Sequence, residues 1–207
     1  GLAFEGDITP ATPVPDLPRF FPTANGDYRP RNYDRTYHGW VPARVALANS
    51  YNVPAVWLAD RLGSGAFLGR LRALGFDSLS AHADHYGLGL ALGNGEVSLL
   101  ELANAYRTLA NGGVHRPIRW RRDTPVEPAV RVMPTGVARL VTDVISDPVA
   151  RAPAFGRDGP LSLPFPAAVK TGTSTDFTDN WTAGYSTRLT VAAWVGNFDG
   201  RPMRGVS

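Results

Sequence analysis

The sequence predicts an α/β fold, a mainly antiparallel sheet flanked by helices, with an α-rich region beside it. Three observations carry that expectation. Apolar residues recur at helical spacing, between start and stop signals, from about residue 42 to residue 146. The pattern then changes to short strand-like runs at 167–173, 180–185 and 189–195. The last two runs are joined by a turn at Ser186 and Thr187, too short for the crossover that parallel strands need. With 207 residues and 43% apolar content, the chain can bury a core of its own.

Residues 1–40 are rich in Pro, Gly, Asp and Asn, which predicts an extended segment crossing a surface. The α-rich region, 41–147, opens at Pro42, a residue suited to a first helical turn, followed by Val45, Ala46, Leu47 and Ala48. Ser50, Tyr51 and Asn52 interrupt the pattern. Pro54 starts a second helix through Leu62, and Ser64 is positioned to cap a third that ends at Gly75. The strongest helix signal covers 98–110. Ser98 and Glu101 have capping-box spacing, Leu99, Leu102, Ala103, Tyr106 and Leu109 form a stripe, and Asn111, Gly112 and Gly113 supply the stop. Val137, Leu140, Val141, Val144 and Ile145 predict a further helix at 135–146, ended by Pro148. Residues 148–166 read as a Pro/Gly loop, and 167–197 as the sheet strands. The last strand is apolar on both faces, which predicts helices on both sides of it.

Composition excludes several functions. The chain has no cysteine, so disulfides and thiol chemistry are out. Its net charge is +3 and its arginines are scattered apart from Arg119, Arg121 and Arg122, so no nucleic-acid partner is expected. No run of 18 apolar residues and no export signal is visible. His82 and His85 flank Asp84, but the other two histidines are distant, so neither a metal nor a cofactor is expected.

The chemistry centres on a single lysine. Lys plus Arg is 21, and only Lys170 is lysine. It opens Lys170, Thr171, Gly172 and Thr173, and Lys, Thr and Gly in that order are expected by chance on the order of 1% of the time at these frequencies. Lysine is a compact point charge whose pKa moves on burial, and it does not exchange with arginine in a tight cleft. A second short pattern, Ser50-x-Asn52, falls in the break between two helices, where an irregular turn can aim a hydroxyl and an amide into one space. Taken alone, Ser50 and Asn52 are equally explained as capping residues.

Together these motifs resemble the second and third motifs of the penicillin-binding transpeptidases and serine β-lactamases. Further stretches are similar to class A penicillin-binding proteins, the last of them most of all to the 1C branch. These are Ile8 to Thr12, then Tyr28, Pro30, Asn32 and Tyr33, then Ala43 to Leu47, the helix at 98–113, and Phe165 to Arg204 with Asp176, Phe177, Asp179, Asn180 and Trp181. The resemblance implies an acyl-enzyme reaction on peptidoglycan stem peptides ending in D-Ala-D-Ala, with β-lactams as substrate mimics. It also implies a membrane-anchored parent acting at the periplasmic face of the inner membrane. By the same resemblance, Lys170 would hold the substrate carboxylate region and Ser50 would relay a proton to the leaving amine. Asn52 would meet a peptide carbonyl, Thr171 and Thr173 would offer hydroxyls to the carboxylate, the Thr173 N–H would be an oxyanion donor, and Gly172 would leave room for the nucleophile's helix.

The family's nucleophile lies in a Ser-x-x-Lys turn, which a chain with one lysine preceded by Ala167 does not contain. The expectation is therefore the distal part of a transpeptidase domain, its nucleophile, glycosyltransferase domain and anchor lying elsewhere in the parent, and inactive as an isolated fragment. Two alternatives stay open: a β-lactamase-like hydrolase, for which Glu101 with Asn104 faintly fits a water-activating base, and a non-catalytic peptidoglycan-binding scaffold.

Overall fold

The computed structural model describes every residue except Asp7, Ala24, Asn25, Thr175, Asp176 and 205–207, so Asp176 lies outside the described residues. Four short strands occupy the segment expected to be extended: β1 (Pro13–Asp16), β2 (Phe21–Thr23), β3 (Gly26–Tyr28) and β4 (Gly39–Pro42). β1 pairs antiparallel with β4, and β2 with β3. The helical region follows with α1 (Ala43–Ala48), α2 (Asn52–Leu62), α3 (Ser64–Ala73), the single turn α4 (Ala83–Tyr86) and α5 (Leu99–Ala110). Ser64 does not cap α3; it is the first helical residue, and Gly63 precedes it without a side-chain cap.

In α5 the capping box forms as its spacing predicts. Glu101 N donates to Ser98 Oγ at 3.2 Å and Ser98 N donates to Glu101 Oε2 at 2.7 Å. The Glu101 carboxylate also accepts from Ser78 N at 2.8 Å, which ties α5 to the turn after α3. Gly113, at φ +85°, allows the chain to leave α5: a Cβ there would stand 2.4 Å from the Met133 carbonyl oxygen. Desolvation pushes the Glu101 pKa up, but hydrogen bonds from Ser98 and Ser78 outweigh it and hold the carboxyl down at about 2. A depressed carboxyl pKa stabilises the fold above its unfolded value and loses that contribution as pH falls towards the folded one. Glu101→Ala is therefore expected to cost about 1–2 kcal/mol at neutral pH, and less on acidification towards pH ~2. Urea melts of wild type and variant across that range check this; a constant difference would contradict it.

The remaining elements are the pair β5 (Val114–His115) and β6 (Val130–Arg131), then α6 (Thr135–Ser146), α7 (Pro148–Phe155), and the three-stranded antiparallel sheet β7 (Ala168–Thr173), β8 (Asp179–Tyr185) and β9 (Thr190–Gly196), ordered β7-β8-β9. Two features depart from the sequence expectations. First, residues 148–155 are helical, not loop. Pro148 stands in the first turn, where its missing N–H costs nothing, and Asp147 caps the helix by accepting from Val149 N and Ala150 N. Second, β9 is covered on one face only. α5 packs against it, while Val191 and Val195 remain 61% and 54% exposed. Among the described residues no helix is long and apolar enough to cross a membrane.

One core cluster positions the site. Ala48 at the end of α1, Val141, Val144 and Ile145 of α6, Ala150 of α7, Ala168 of β7 and Tyr185 of β8 are packed together. Ala48 and Ala168 each lie two residues before a motif residue, Ser50 and Lys170, and both are small and buried, at 4% and 2% exposure. The α1 terminus and the β7 strand therefore meet on a shared core.

Candidate active site

Ser50 stands in a conformation that its own sequence disfavours. Its φ is +59°, in the left-handed region. Its N–H donates to Leu47 O at 3.3 Å and the Tyr51 N–H to Ala46 O at 3.0 Å. With Asn49 as the C-cap of α1, these bonds form a Schellman motif, in which the left-handed position is usually glycine. A side chain there costs roughly 1–2 kcal/mol, so the surrounding structure holds it. This turn swings the Ser50 hydroxyl out of the helical path, and Lys170 Nζ donates to Ser50 Oγ across 120 positions of sequence.

Lys170 Nζ also donates to Thr171 O at 2.8 Å. The sheet explains why that carbonyl is available. Ser174 N donates to Asp179 O at 2.9 Å, and in the β7–β8 register Gly172 faces Trp181 and Lys170 faces Ala183. Antiparallel pairs alternate between bonded and unbonded. Thr171 and Thr173 consequently fall in the unbonded pairs, with their N–H and C=O groups turned from β8 towards the outer edge of β7. The Thr173 N–H is thus directed to the edge where the Lys170 ammonium sits. Gly172 shares the Lys170 face of the strand, where a Cβ would meet nothing nearer than Trp181 Cβ at 3.9 Å. Burial pulls the Lys170 pKa down from 10.5 to about 8, so near neutral pH its proton is more readily released than that of a solvated lysine.

Asn52 opens α2. One of its amide N–H groups donates to Arg31 O at 2.7 Å, so its side chain is braced by the loop before β4 and has no bond to Ser50 or Lys170. Two buried asparagines that the sequence reading did not single out for this site hold the turn from either side. Asn49 inserts its amide into α7: Asn49 Nδ2 donates to Ala150 O at 2.8 Å, and Ala154 N donates to Asn49 Oδ1 at 2.9 Å. The side chain thereby bridges Ala154 N and Ala150 O, next to Pro153, which has no N–H to donate. On the other side Asn52 N donates to Asn32 Oδ1 at 2.8 Å. The only sequence signal for either was an asparagine beside a motif or within a family-like stretch.

Glu101, with four donor atoms from Ser78 and Ser98 on its carboxylate, is a structural cap. His82 pairs with Asp84 at 3.2 Å on the surface, and among the described residues no group of three or more His, Cys, Asp and Glu side chains could hold a metal ion.

The family model described as "Penicillin binding protein transpeptidase domain" matches residues 18–202. Penicillin-binding protein 1C of Escherichia coli (strain K12) is 34% identical over 206 residues, covering 99% of this chain and 26% of that protein. The crystal structure of penicillin-binding protein 1A from Haemophilus influenzae matches with a TM-score of 0.79 at 22% identity, covering 99% of this chain and 37% of that one. Penicillin-binding protein A from M. tuberculosis, solved as an imipenem acyl-enzyme complex, matches with a TM-score of 0.74 at 22% identity, covering 94% and 51%. The chain spans about a quarter of the length of the curated relatives it matches. At the identities of the solved structures the likeness shows the fold, the α/β arrangement expected from the sequence.

Proposed function

Because this chain belongs to the penicillin-binding protein transpeptidase domain family, we propose that it supplies one wall of a serine D,D-transpeptidase site in a longer parent protein, crosslinking peptidoglycan stem peptides that end in D-Ala-D-Ala. The observation that carries this reading is the Lys170–Ser50 contact, with the Thr173 N–H directed to the same edge of β7.

In this reading a serine from a Ser-x-x-Lys turn elsewhere in the parent gives its proton to the lysine of that turn as it attacks the penultimate D-alanine carbonyl. The negative charge that develops on the carbonyl oxygen is met by the Thr173 N–H, a fixed donor that needs no reorganisation. Collapse of the tetrahedral species breaks the peptide bond, and the departing amine takes a proton through the Ser50 hydroxyl. Lys170, with its pKa near 8, supplies and recovers that proton at neutral pH. The positive field of Lys170, with the Thr171 and Thr173 hydroxyls, seats the terminal carboxylate, and the second N–H of Asn52 reaches a substrate carbonyl. An amine from a neighbouring stem then attacks the acyl-enzyme, and the proton it gives up returns to the serine oxygen as the ester bond breaks, completing the crosslink and freeing the serine. β-Lactams enter as mimics that stop at the acyl stage. The parent would be membrane-anchored and work at the periplasmic face. A hydrolase needs a water-activating base, and Glu101 is already taken as a helix cap.

The test uses a fluorescent penicillin. The full-length protein is expected to give one labelled band that survives denaturation and is competed by unlabelled β-lactam, and the 207-residue chain alone to give none. A full-length protein that takes no label would leave a non-catalytic peptidoglycan-binding protein; label lost within minutes would indicate a hydrolase.

A further inference from the structure

α2 has no cap of its own. Its N-cap residue, Tyr51, makes no side-chain bond to the helix, yet the first two N–H groups of the helix are satisfied. Asn52 N at 2.8 Å and Val53 N at 3.4 Å both donate to Asn32 Oδ1, from a loop 20 positions upstream. Asn32 is 4% exposed, and its other end is equally determined. Asn32 Nδ2 donates to both Asp16 carboxylate oxygens and to Thr36 O, each at 2.8 Å. Rotating the amide would set its oxygen against a carboxylate, so the donor and acceptor ends are fixed. Asp16 is itself fully buried on β1 and accepts from His38 N at 2.9 Å, with His38 Nδ1 at 2.7 Å. The other ring nitrogen of His38, Nε2, faces Asp34 Oδ2 at 3.1 Å. The His38 ring stacks on Tyr51 at 4.1 Å with the planes 6° apart.

The loop from Arg31 to His38 therefore grips the residues after Ser50 one by one: Tyr51 by its ring, Asn52 by its backbone and side chain, and Val53 by its backbone. We propose that Asn32, oriented by Asp16 and His38, is a positioning residue for acyl transfer, acting as a long-range cap that fixes where the Ser50-to-Asn52 turn aims its hydroxyl and amide. This rests on the transpeptidase reading. Asn32 does not touch the reacting atoms; it acts through Asn52 and the left-handed Ser50.

The test is the acylation rate of the full-length protein with a fluorescent penicillin, normalised to folded protein. Asn32→Ala is expected to slow acylation about tenfold and to speed amide exchange at Asn52 and Val53. Asn32→Asp separates positioning from mere stability. The groups facing residue 32 and its partner are Asp16 on β1, His38 and Asp34 on the loop, and Tyr51 before α2. Beside Asp16 the new carboxyl is charged and repelled at about pH 8, but its pKa is raised by that neighbour, so at about pH 5 it is protonated. It then donates to Asp16 and still accepts from Asn52. Asn32→Asp should accordingly be as slow as Asn32→Ala at the higher pH and within about threefold of wild type, measured at the same pH, at the lower one. Leu68→Ala, in a separate core cluster, should destabilise the protein without slowing acylation of the folded fraction.

Wild-type acylation in Asn32→Ala, equal slowness of Asn32→Asp at both pH values, or an equal loss in Leu68→Ala would overturn the proposal while leaving the transpeptidase reading intact. A wild-type protein that takes no label would remove both.

Discussion

Lys170→Ala in the full-length protein is expected to slow β-lactam acylation by about 10²–10³, the loss typical of removing a preorganised electrostatic group from a transition state. Lys170→Arg is expected to slow it about tenfold or more, although the charge is kept. The Nζ atom sits between Ser50 Oγ and Thr171 O, a space fitted to a compact ammonium, and a planar guanidinium reaches neither partner in the same geometry. Arginine also stays protonated, so it cannot exchange a proton with Ser50 near neutral pH. Acylation rates from stopped-flow fluorescence decide this, and an unchanged Lys170→Arg rate would remove the basis for the proton relay. Stability provides an independent check. Burial lowers the Lys170 pKa from 10.5 to about 8, so the unfolded chain holds this proton more tightly than the folded one. The cost of burying the charge is present below pH ~8 and relieved as pH rises towards ~10.5. Wild type should gain stability relative to Lys170→Met across that window.

Ser50→Gly and Ser50→Ala are expected to lose acylation equally, by about 10² or more, because both remove the hydroxyl assigned to the proposed proton relay. Their stabilities should differ. At φ +59° alanine keeps the left-handed penalty and glycine does not, so Ser50→Gly should be more stable than Ser50→Ala by about 1 kcal/mol. The comparison cancels the lost Lys170 bond, which is common to both. Equal melting temperatures would show that the turn is not strained; retained acylation in either variant would exclude Ser50 from the relay. The pairing of a strained residue with a functional contact is the arrangement expected where a site is held by its surroundings.

Several elements were legible because their signals are local. The α5 capping box, the α6 stripe ending in Asp147-Pro148, and the three strands of the sheet appear within a residue or two of where spacing placed them, since caps and periodicity depend on neighbours a few positions away. α7 was not legible. Its prolines read as loop, and the group that completes its hydrogen bonding, Asn49, lies 101 and 105 positions away. The Schellman turn at Ser50 was hidden for a related reason, because the usual marker is glycine and here serine occupies the position. The covering expected on both faces of β9 failed at Val191 and Val195, since an apolar pattern states what a strand could bury and not what packs on it.

The sequence by itself determined the chemistry available: one lysine opening Lys170 to Thr173, a Ser50-x-Asn52 break between helices, and no Ser-x-x-Lys within these residues. Tertiary structure decided that Ser50 and Lys170 meet. Ala48 and Ala168 pack into one core and bring Ser50 to Lys170, the β7–β8 register turns the Thr173 N–H outward, and Asn32 and Asn49 hold the turn from opposite sides. Side-chain bonds across tens of residues have no period and leave no local trace. They exist only after packing has repaid the entropy of closing the chain between them.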